Sequence, residues 1–198
     1  MNNIYISEEI VDFYVWINPK NWLVCHQIEF TGGFTSGGLV QRKSNLMFVP
    51  NHDFQADITP FQLNIMREYI SEYNLEISRE ANFVNYPSRL NAIFLFDCEE
   101  EAYKYKDRNM YHVGDRILKK VHSVGRCVFS KHDSSWVDFL RMLHSIDKQS
   151  IDNVGKSYWS GKRVEDHQLL SLGEQWSESP IIEILFIGRI EFYDRKIV

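Results

Sequence analysis

Four short stretches of the chain hold side chains whose types could do chemistry. Glu183 lies within Pro180-Ile181-Ile182-Glu183-Ile184-Leu185-Phe186, a carboxylate inside an otherwise aliphatic strand pattern. Such an acid either faces the edge of a sheet, the more ordinary case, or is buried. A buried acid has a raised pKa or hydrogen-bonds a ligand hydroxyl. Ser88-Arg89 follows Tyr86-Pro87 and precedes an apolar run, and Pro87 disfavours helix at Tyr86 and sets an extended entry. The planar guanidinium of Arg89 suits a phosphate or a carboxylate, and equally an ion pair with an acid at a sheet end. Tyr158-Trp159-Ser160-Gly161 reads as a helix end capped by Gly161, with adjacent aromatics facing opposite ways so that only one of them need be core. The fourth stretch, Gly32 to Gly38, reads as a mobile surface loop or a substrate-covering lid. It has neither the Gly-Lys-Ser/Thr of a phosphate loop nor GxGxxG before a helix.

Other chemistries find no support. His112, His122 and His132 are ten residues apart, which is no ligand spacing on a helix or strand, and His26 reads as a structural histidine within a strand. There is no HExxH, no GxSxG and no cysteine with an evident histidine partner, which speaks against metalloprotease and hydrolase chemistry. Cys25, Cys98 and Cys127 are odd in number, lack CxxC spacing and read as buried small hydrophobes in a reducing compartment, not as a disulfide frame or a zinc site. The first residues, MNNIYISEEIVDF, show neither a basic nor an apolar signal-peptide region, and no apolar run approaches a membrane span. The expectation is a cytoplasmic protein with no membrane partner.

These residues must be positioned by elements legible in the pattern. Phe13–Ile17 and Trp22–Phe30 are expected as strands. Thr59-Pro60 opens a helix on which Phe61, Ile65, Tyr69, Tyr73 and Ile77 recur every four residues, with Arg67, Glu68, Glu72 and Glu76 elsewhere on the wheel. Leu90–Phe96 reads as a buried strand, followed by a helix from a capping box of Asp97 and Glu100 through about Arg108. Two strands are expected on either side of Gly125 (117–124 and 127–130). Asp133 then caps a helix with Trp136, Phe139, Leu140 and Leu143 on one face, a shorter helix runs to Trp159, and two last strands flank Gly188. Strands first, helices in the middle and strands last argue for an α+β fold in a single domain, residues 1–198.

Composition sets outer bounds. The 198 residues are 44% hydrophobic and 25% charged, which excludes a disordered chain or a fibre. The net charge of −5 gives no global field for nucleic acid. A local basic groove remains open between Lys104 and Arg126, where basic side chains interleave with Tyr103, Tyr105 and Tyr111. Aromatics at 14% supply both core and surface rings for stacking.

The order FYVWI, WLVCHQIEF, YPSRLNAIFLFDCEEEAYKY, YWSG and EILFIGRIEFYDR resembles folds of the ADP-ribosyltransferase type. It is similar to the small rifampin-modifying ADP-ribosyltransferases, and more so to a bacterial and phage family with Pro-Ser-Arg and a late-strand Glu. The resemblance implies two small antiparallel sheets with helices in the middle of the chain, and NAD as substrate. Ile93-Phe94-Leu95-Phe96-Asp97 with Ala102 and Tyr105 resembles the strand and helix that line the nicotinamide pocket, Ser88-Arg89 the preceding Ser-Arg, and Glu183 the late acid. By that carry-over Glu183 is catalytic, orienting the ribose 2′-hydroxyl beside the developing cation. Tyr14, Ser88, Arg89, Phe94, Tyr103, Tyr105 and Trp159 bind the cofactor, with Arg89 on the pyrophosphate, Tyr105 or Tyr103 stacking, and Tyr14 at the adenosine ribose. Where the family pattern has His after Tyr, this chain has Val15 and Trp16. The implied activity is ADP-ribosyl transfer to a protein, nucleic-acid or small-molecule acceptor, in a setting such as phage–host conflict. Two other readings stand beside it: an inactive member of the same fold that binds or inhibits a protein partner, and a nucleic-acid-binding protein.

Overall fold

The structure, a computed structural model, describes residues 3–40, 60–142, 148–166, 170–171, 174–175 and 179–196. In chain order the elements are β1 (Ile4–Ser7), β2 (Asp12–Ile17), α1 (Trp22–Thr31), β3 (Gly33–Thr35), α2 (Gly37–Val40), α3 (Pro60–Asn82) and β4 (Ile93–Leu95). They continue with α4 (Glu99–Arg108), α5 (Met110–Val113), β5 (Ile117–Asp133), α6 (Ser135–Met142) and α7 (Lys148–Trp159). A 3-10 turn at Val164–Asp166, β6 (Leu170–Ser171), β7 (Glu174–Gln175) and β8 (Ile182–Phe192) complete the chain. The protein is of mixed α+β class, and six of its strands form one antiparallel sheet.

Two long strands are the spine of that sheet. β5 pairs with β8 over most of its length, and the register shifts between Val124 and Val128. Gly125 sits in that bulge at φ +68°, a left-handed conformation that costs glycine nothing because it has no Cβ. The bend lets one strand serve two partners: β5 pairs β2 before the bulge and β1 after it, while β8 pairs β4 near its start and β3 near its end. The strands expected as separate pieces around Gly125 and Gly188 are therefore two continuous bent strands. The two small sheets expected are one six-stranded sheet, with β6 and β7 as a separate two-stranded ribbon. The sheet curls until Tyr14 on β2 and Phe96 after β4 exchange backbone hydrogen bonds of 2.9 Å in both directions.

Alternation along the spine divides the interior. Ile184, Phe186 and Ile190 of β8 join Phe13, Ile28, Val121 and Phe129 in one core. Leu185 points the other way, into a second core with Leu75 of α3, Trp136 and Phe139 of α6, and Tyr158 and Trp159 of α7. Glu183 shares the parity of Leu185, so it too faces the helices.

Several local expectations are corrected. Residues 22–31 are helix α1, not a strand. The side chain of Asn21 accepts from the Leu23 and Val24 amides, at 3.0 and 3.5 Å, and Gly32 ends the helix in the left-handed conformation. Only Ile28 of this helix is buried, while Trp22, Leu23 and Phe30 are exposed, so its apolar residues never formed a helical stripe. The supposed glycine loop is ordered as β3 and α2. Asp97 is not a cap: Cys98 occupies that position without a side-chain bond, and Asp97 pairs with Lys131. Of the cysteines, Cys127 is buried, Cys25 half-buried and Cys98 exposed.

Helix α3 shows the largest inversion. Its buried face is Ser71, Leu75, Glu76, Ser78 and Arg79, while Tyr69 and Ile77 of the expected apolar stripe are exposed. Thr59 and the side chains of Phe61 and Ile65 lie outside the described residues, as does Leu143.

Asp133 does more than cap α6. Its Oδ1 accepts from the Ser135 and Ile181 amides at 3.0 and 3.1 Å, and its Oδ2 from the Val164 amide at 2.8 Å. One carboxylate thus ties the helix start, the 3-10 turn and the entry to β8. Asp133→Ala would leave three buried donors unmatched, and denaturant unfolding should show a loss of about 2–3 kcal/mol. A change within ~0.5 kcal/mol would mean that water or other acceptors take over these amides. Among the described residues, no helix is long and apolar enough to cross a membrane.

Candidate functional site

Two acids one helical turn apart on α3 organise the site. Glu76 accepts from Arg79 Nη2 at 2.7 Å and from Ser88 Oγ at 2.8 Å. Glu72 takes the next residue, Arg89, in a two-pronged pair: Nε to Oε2 at 2.6 Å and Nη2 to Oε1 at 2.9 Å. Consecutive residues of the 83–92 segment are thereby clamped to consecutive turns of one helix face. The same geometry explains the inverted burial of α3, because its polar face is the one that meets the segment.

The third prong of Arg89 reaches the sheet. Its Nη1 donates to the Tyr158 hydroxyl at 2.6 Å and forms a close ion pair with Glu183 Oε1. Tyr158 donates to the same Glu183 oxygen at 2.7 Å. Both bonds fall on Oε1, and no donor among the described residues reaches Oε2. The guanidinium also lies 4.9 Å from the centre of the Phe94 ring on β4 and 5.3 Å from that of Tyr158.

Burial and charge set the protonation states. Burial pushes Glu183 above the usual carboxylate range, opposed by the Arg89 guanidinium and the Tyr158 hydroxyl. Burial would lower Arg89, but Glu183 and Glu72 outweigh it and hold the guanidinium firmly charged. Tyr158 is raised well above its ordinary value by burial, with Glu183 adding to the effect. Tyr105 on α4, near the same charges, is pushed up to about 12 by burial and by the Glu183 carboxylate.

The rim comes from α4 and α6. Arg141 reaches Glu72 Oε1 at 3.4 Å, and Asp138 lies 3.7 Å from both Arg108 and Arg141. Arg108 also donates to Ser135 Oγ at 2.6 Å. Burial raises the Asp138 carboxyl, against the Arg141 and Arg108 charges.

Of the residues singled out from sequence, the fold brings Glu183, Arg89 and Phe94 to one place, while Tyr105 packs on Phe96 with ring centres 5.3 Å apart. Ser88 sits beside Arg89, on Glu76. Trp159 is fully buried in the helical core, its indole N–H on the Leu75 carbonyl at 2.7 Å. Tyr158 is equally buried, so both adjacent aromatics are interior. Tyr14 packs with Phe96, Ala102 and Ile181, and half-exposed Tyr103 stands edge-on to Trp16 at 5.6 Å. Neither makes a hydrogen bond or ring contact with the Arg89–Glu183 group among the described residues. Glu72, Asp138, Arg141 and the Tyr158 hydroxyl escaped the sequence reading. The one available signal was Glu72, Glu76 and Arg79 at spacings of four and three, which reads as a solvated stripe until a partner segment is known.

A buried histidine supports the cluster from behind. His132 on β5 stacks on Tyr158 with ring centres 4.5 Å apart, and its Nδ1 and Nε2 lie 2.9 Å from the Tyr158 carbonyl and 2.7 Å from Ser130 Oγ. The carbonyl fixes Nδ1 as the donor, so Nε2 accepts from Ser130. Burial drops its pKa to about 3. The folded state thus favours neutral His132. Its contribution is intact above the unfolded-state value near ~6.5 and is lost as pH falls from there towards 3. Denaturant unfolding should show stability declining between about pH 6.5 and pH 4, with His132→Gln flattening the slope. An unchanged slope in that variant would remove His132 as its origin.

Elsewhere the basic stretch is largely paired: Lys104 with Glu100 and Glu101, Lys119 with Asp194, and Lys120 with Asp12. His26 lies on the exposed face of α1 between Trp22 and Phe30, with ring centres 6.3 and 4.2 Å away.

No curated protein matches the chain. The family model for a protein of unknown function (DUF2441) matches residues 41–197, which include every member of the Glu72–Arg89–Tyr158–Glu183 cluster, and the chain belongs to that family.

Proposed function

We propose that the protein transfers ADP-ribose from NAD to an acceptor, with Glu183 as the carboxylate at the reacting ribose. The observation that supports this most is the state of Glu183. It is a buried acid with Oε1 fixed by Arg89 and Tyr158 and, among the described residues, no hydrogen bond on Oε2. In this reading Oε2 accepts from the ribose 2′-hydroxyl. The bond between nicotinamide nitrogen and ribose C1′ breaks, nicotinamide departs with the electron pair, and the carboxylate stabilises the positive charge left on the sugar. The acceptor heteroatom then bonds to C1′ and gives up its proton. Phe94 supplies an aromatic wall.

In this reading one role differs from what the resemblance implies: Arg89, bound on three sides by Glu72, Tyr158 and Glu183, orients the acid instead of holding the pyrophosphate. The direct test is nicotinamide release on incubating the whole protein with NAD, with and without cell extract as a source of acceptor. Release above background supports transfer, and its absence with both additions overturns the reading.

A protein-binding role without catalysis has one observation in its favour. Trp22, Leu23 and Phe30 on α1 are 75%, 56% and 68% exposed, more than an isolated surface residue requires. Loss of partner capture in Trp22→Ala, with Glu183→Gln unaffected, would select it.

A further inference from the structure

A cavity of about 560 Å³, a size that suits a small molecule, lies on the sheet face that carries Glu183. Ile187 of β8 lines it, on the same side of the strand as Glu183 and about 13 Å further along at the rise of a β-strand. Val128, opposite Ile187 on β5, completes the floor. One wall is the 83–92 segment and another is α2, and both are fixed by the protein itself. Arg79 Nη1 donates to the Val84 and Tyr86 carbonyls at 3.1 and 3.3 Å, and the Gly38 amide donates to the Asn91 carbonyl at 3.0 Å. A Cβ at Gly38 would collide with Ile187, so glycine is what lets α2 close over the floor. The charge of the cavity is one-sided. Arg79 and Arg126 line it, and among the described residues no acid does. Glu76 neutralises Arg79 from behind. Arg126 stands exposed in the β5 bulge, and its side chain makes no ion pair or hydrogen bond among the described residues. This local sign runs against the net charge of −5.

We infer that this cavity binds a small organic anion, with its charged head on Arg126 and its apolar body over Val128 and Ile187. The Asn85 amide, exposed at the wall, offers a second donor for the head. A cation fails, because it meets Arg126 with no acid to offset the repulsion. A polyphosphate fails, because Arg126 is the only lining cation among the described residues without an acid beside it. A bare inorganic anion fails as well. One exposed charge pair contributes little in water, so the affinity must come from burying a body. Leu39 and Val84, 54% and 69% exposed at the walls, gain cover from the same body. A carboxylate and a phosphate monoester both supply such a head. Binding here needs neither NAD nor the chemistry proposed for Glu183.

Titration of the isotope-labelled whole protein with hexanoate, hexyl phosphate, hexanol and acetate tests it, since backbone amide shifts report both affinity and place. At least one hexyl anion should bind below about 10 mM, and about fivefold more tightly than hexanol, which has the body without the charge. Acetate, the head without the body, should be weaker than hexanoate by about tenfold or more. The shifts should gather at Gly38, Asn85 and Arg126. Arg126→Gln should reduce the anions to the affinity of hexanol, and Arg126→Glu should weaken them further while leaving hexanol unchanged. Both changes fall on an exposed side chain, and thermal melts check that the variants fold. The tighter of the two anions assigns the head as carboxylate or phosphate monoester. Failure of both hexyl anions to bind below about 10 mM overturns the site, as does equal affinity for them and for hexanol. Shifts gathered away from the cavity, or wild-type binding in Arg126→Gln, overturn it equally.

Discussion

Arg89→Met is expected to destabilise the protein by about 3–5 kcal/mol, the range for removing one partner of a buried ion pair. Arg89 and Glu183 each keep only 5% of their side-chain surface in solvent, so water cannot replace the lost guanidinium. Three groups lose their donor at once. Glu183 keeps only Tyr158, Tyr158 loses a 2.6 Å contact, and Glu72 is left with Arg141 at 3.4 Å. Arg89→Lys should fall in between, since an ammonium cannot form the two-pronged pair with Glu72 and still reach Glu183. The decisive comparison is Arg89→Met combined with Glu183→Gln. If the cost comes from an orphaned buried carboxylate, the double variant recovers at least ~1 kcal/mol relative to the sum of the single changes. Strict additivity in denaturant unfolding would show that the two side chains act independently and that their close contact carries no energy.

Glu183→Gln should lower nicotinamide release from NAD by about 10²–10³-fold while leaving a folded protein. Glutamine keeps the shape and an acceptor for Tyr158 but cannot offer a negative charge to a developing sugar cation. Some stability is lost because Arg89 sheds one of its two acids, although the pair with Glu72 remains. Rates are therefore compared per folded molecule, with the melting temperature as control. Glu72→Gln separates positioning from contact. It leaves Glu183 charged but loosens the clamp on Arg89, so its effect on turnover should be smaller. Wild-type turnover in Glu183→Gln would remove this acid from the chemistry and leave the cluster a structural one.

The cluster accounts for why the sequence was hard to read here. Helix patterns are assigned by placing apolar residues inward, and α3 has an evident apolar stripe of which the fold leaves Tyr69 and Ile77 exposed. Its inward face is polar because Glu72 and Glu76 meet Arg89 and Ser88, residues far enough along the chain that no local spacing links them. Helix α1 fails for the opposite reason. With one buried residue it has no periodic signal, and a single cap at Asn21 decides its state.

What the sequence by itself determined was local and periodic: the α+β class, the helix ending at Arg108, the buried face of α6 through Trp136, Phe139 and Leu140, and the cap at Gly161. Each follows from forces acting within a few residues, which are propensity, capping and one-sided burial. Tertiary structure decided the rest. Whether Glu183 faced an edge or an interior depended on the helices laid over the Leu185 side of β8, and whether Arg89 met a ligand or an acid depended on α3. A charged side chain enters a core only where an opposite charge already waits, and the chain reaches that partner by folding, not by proximity in sequence.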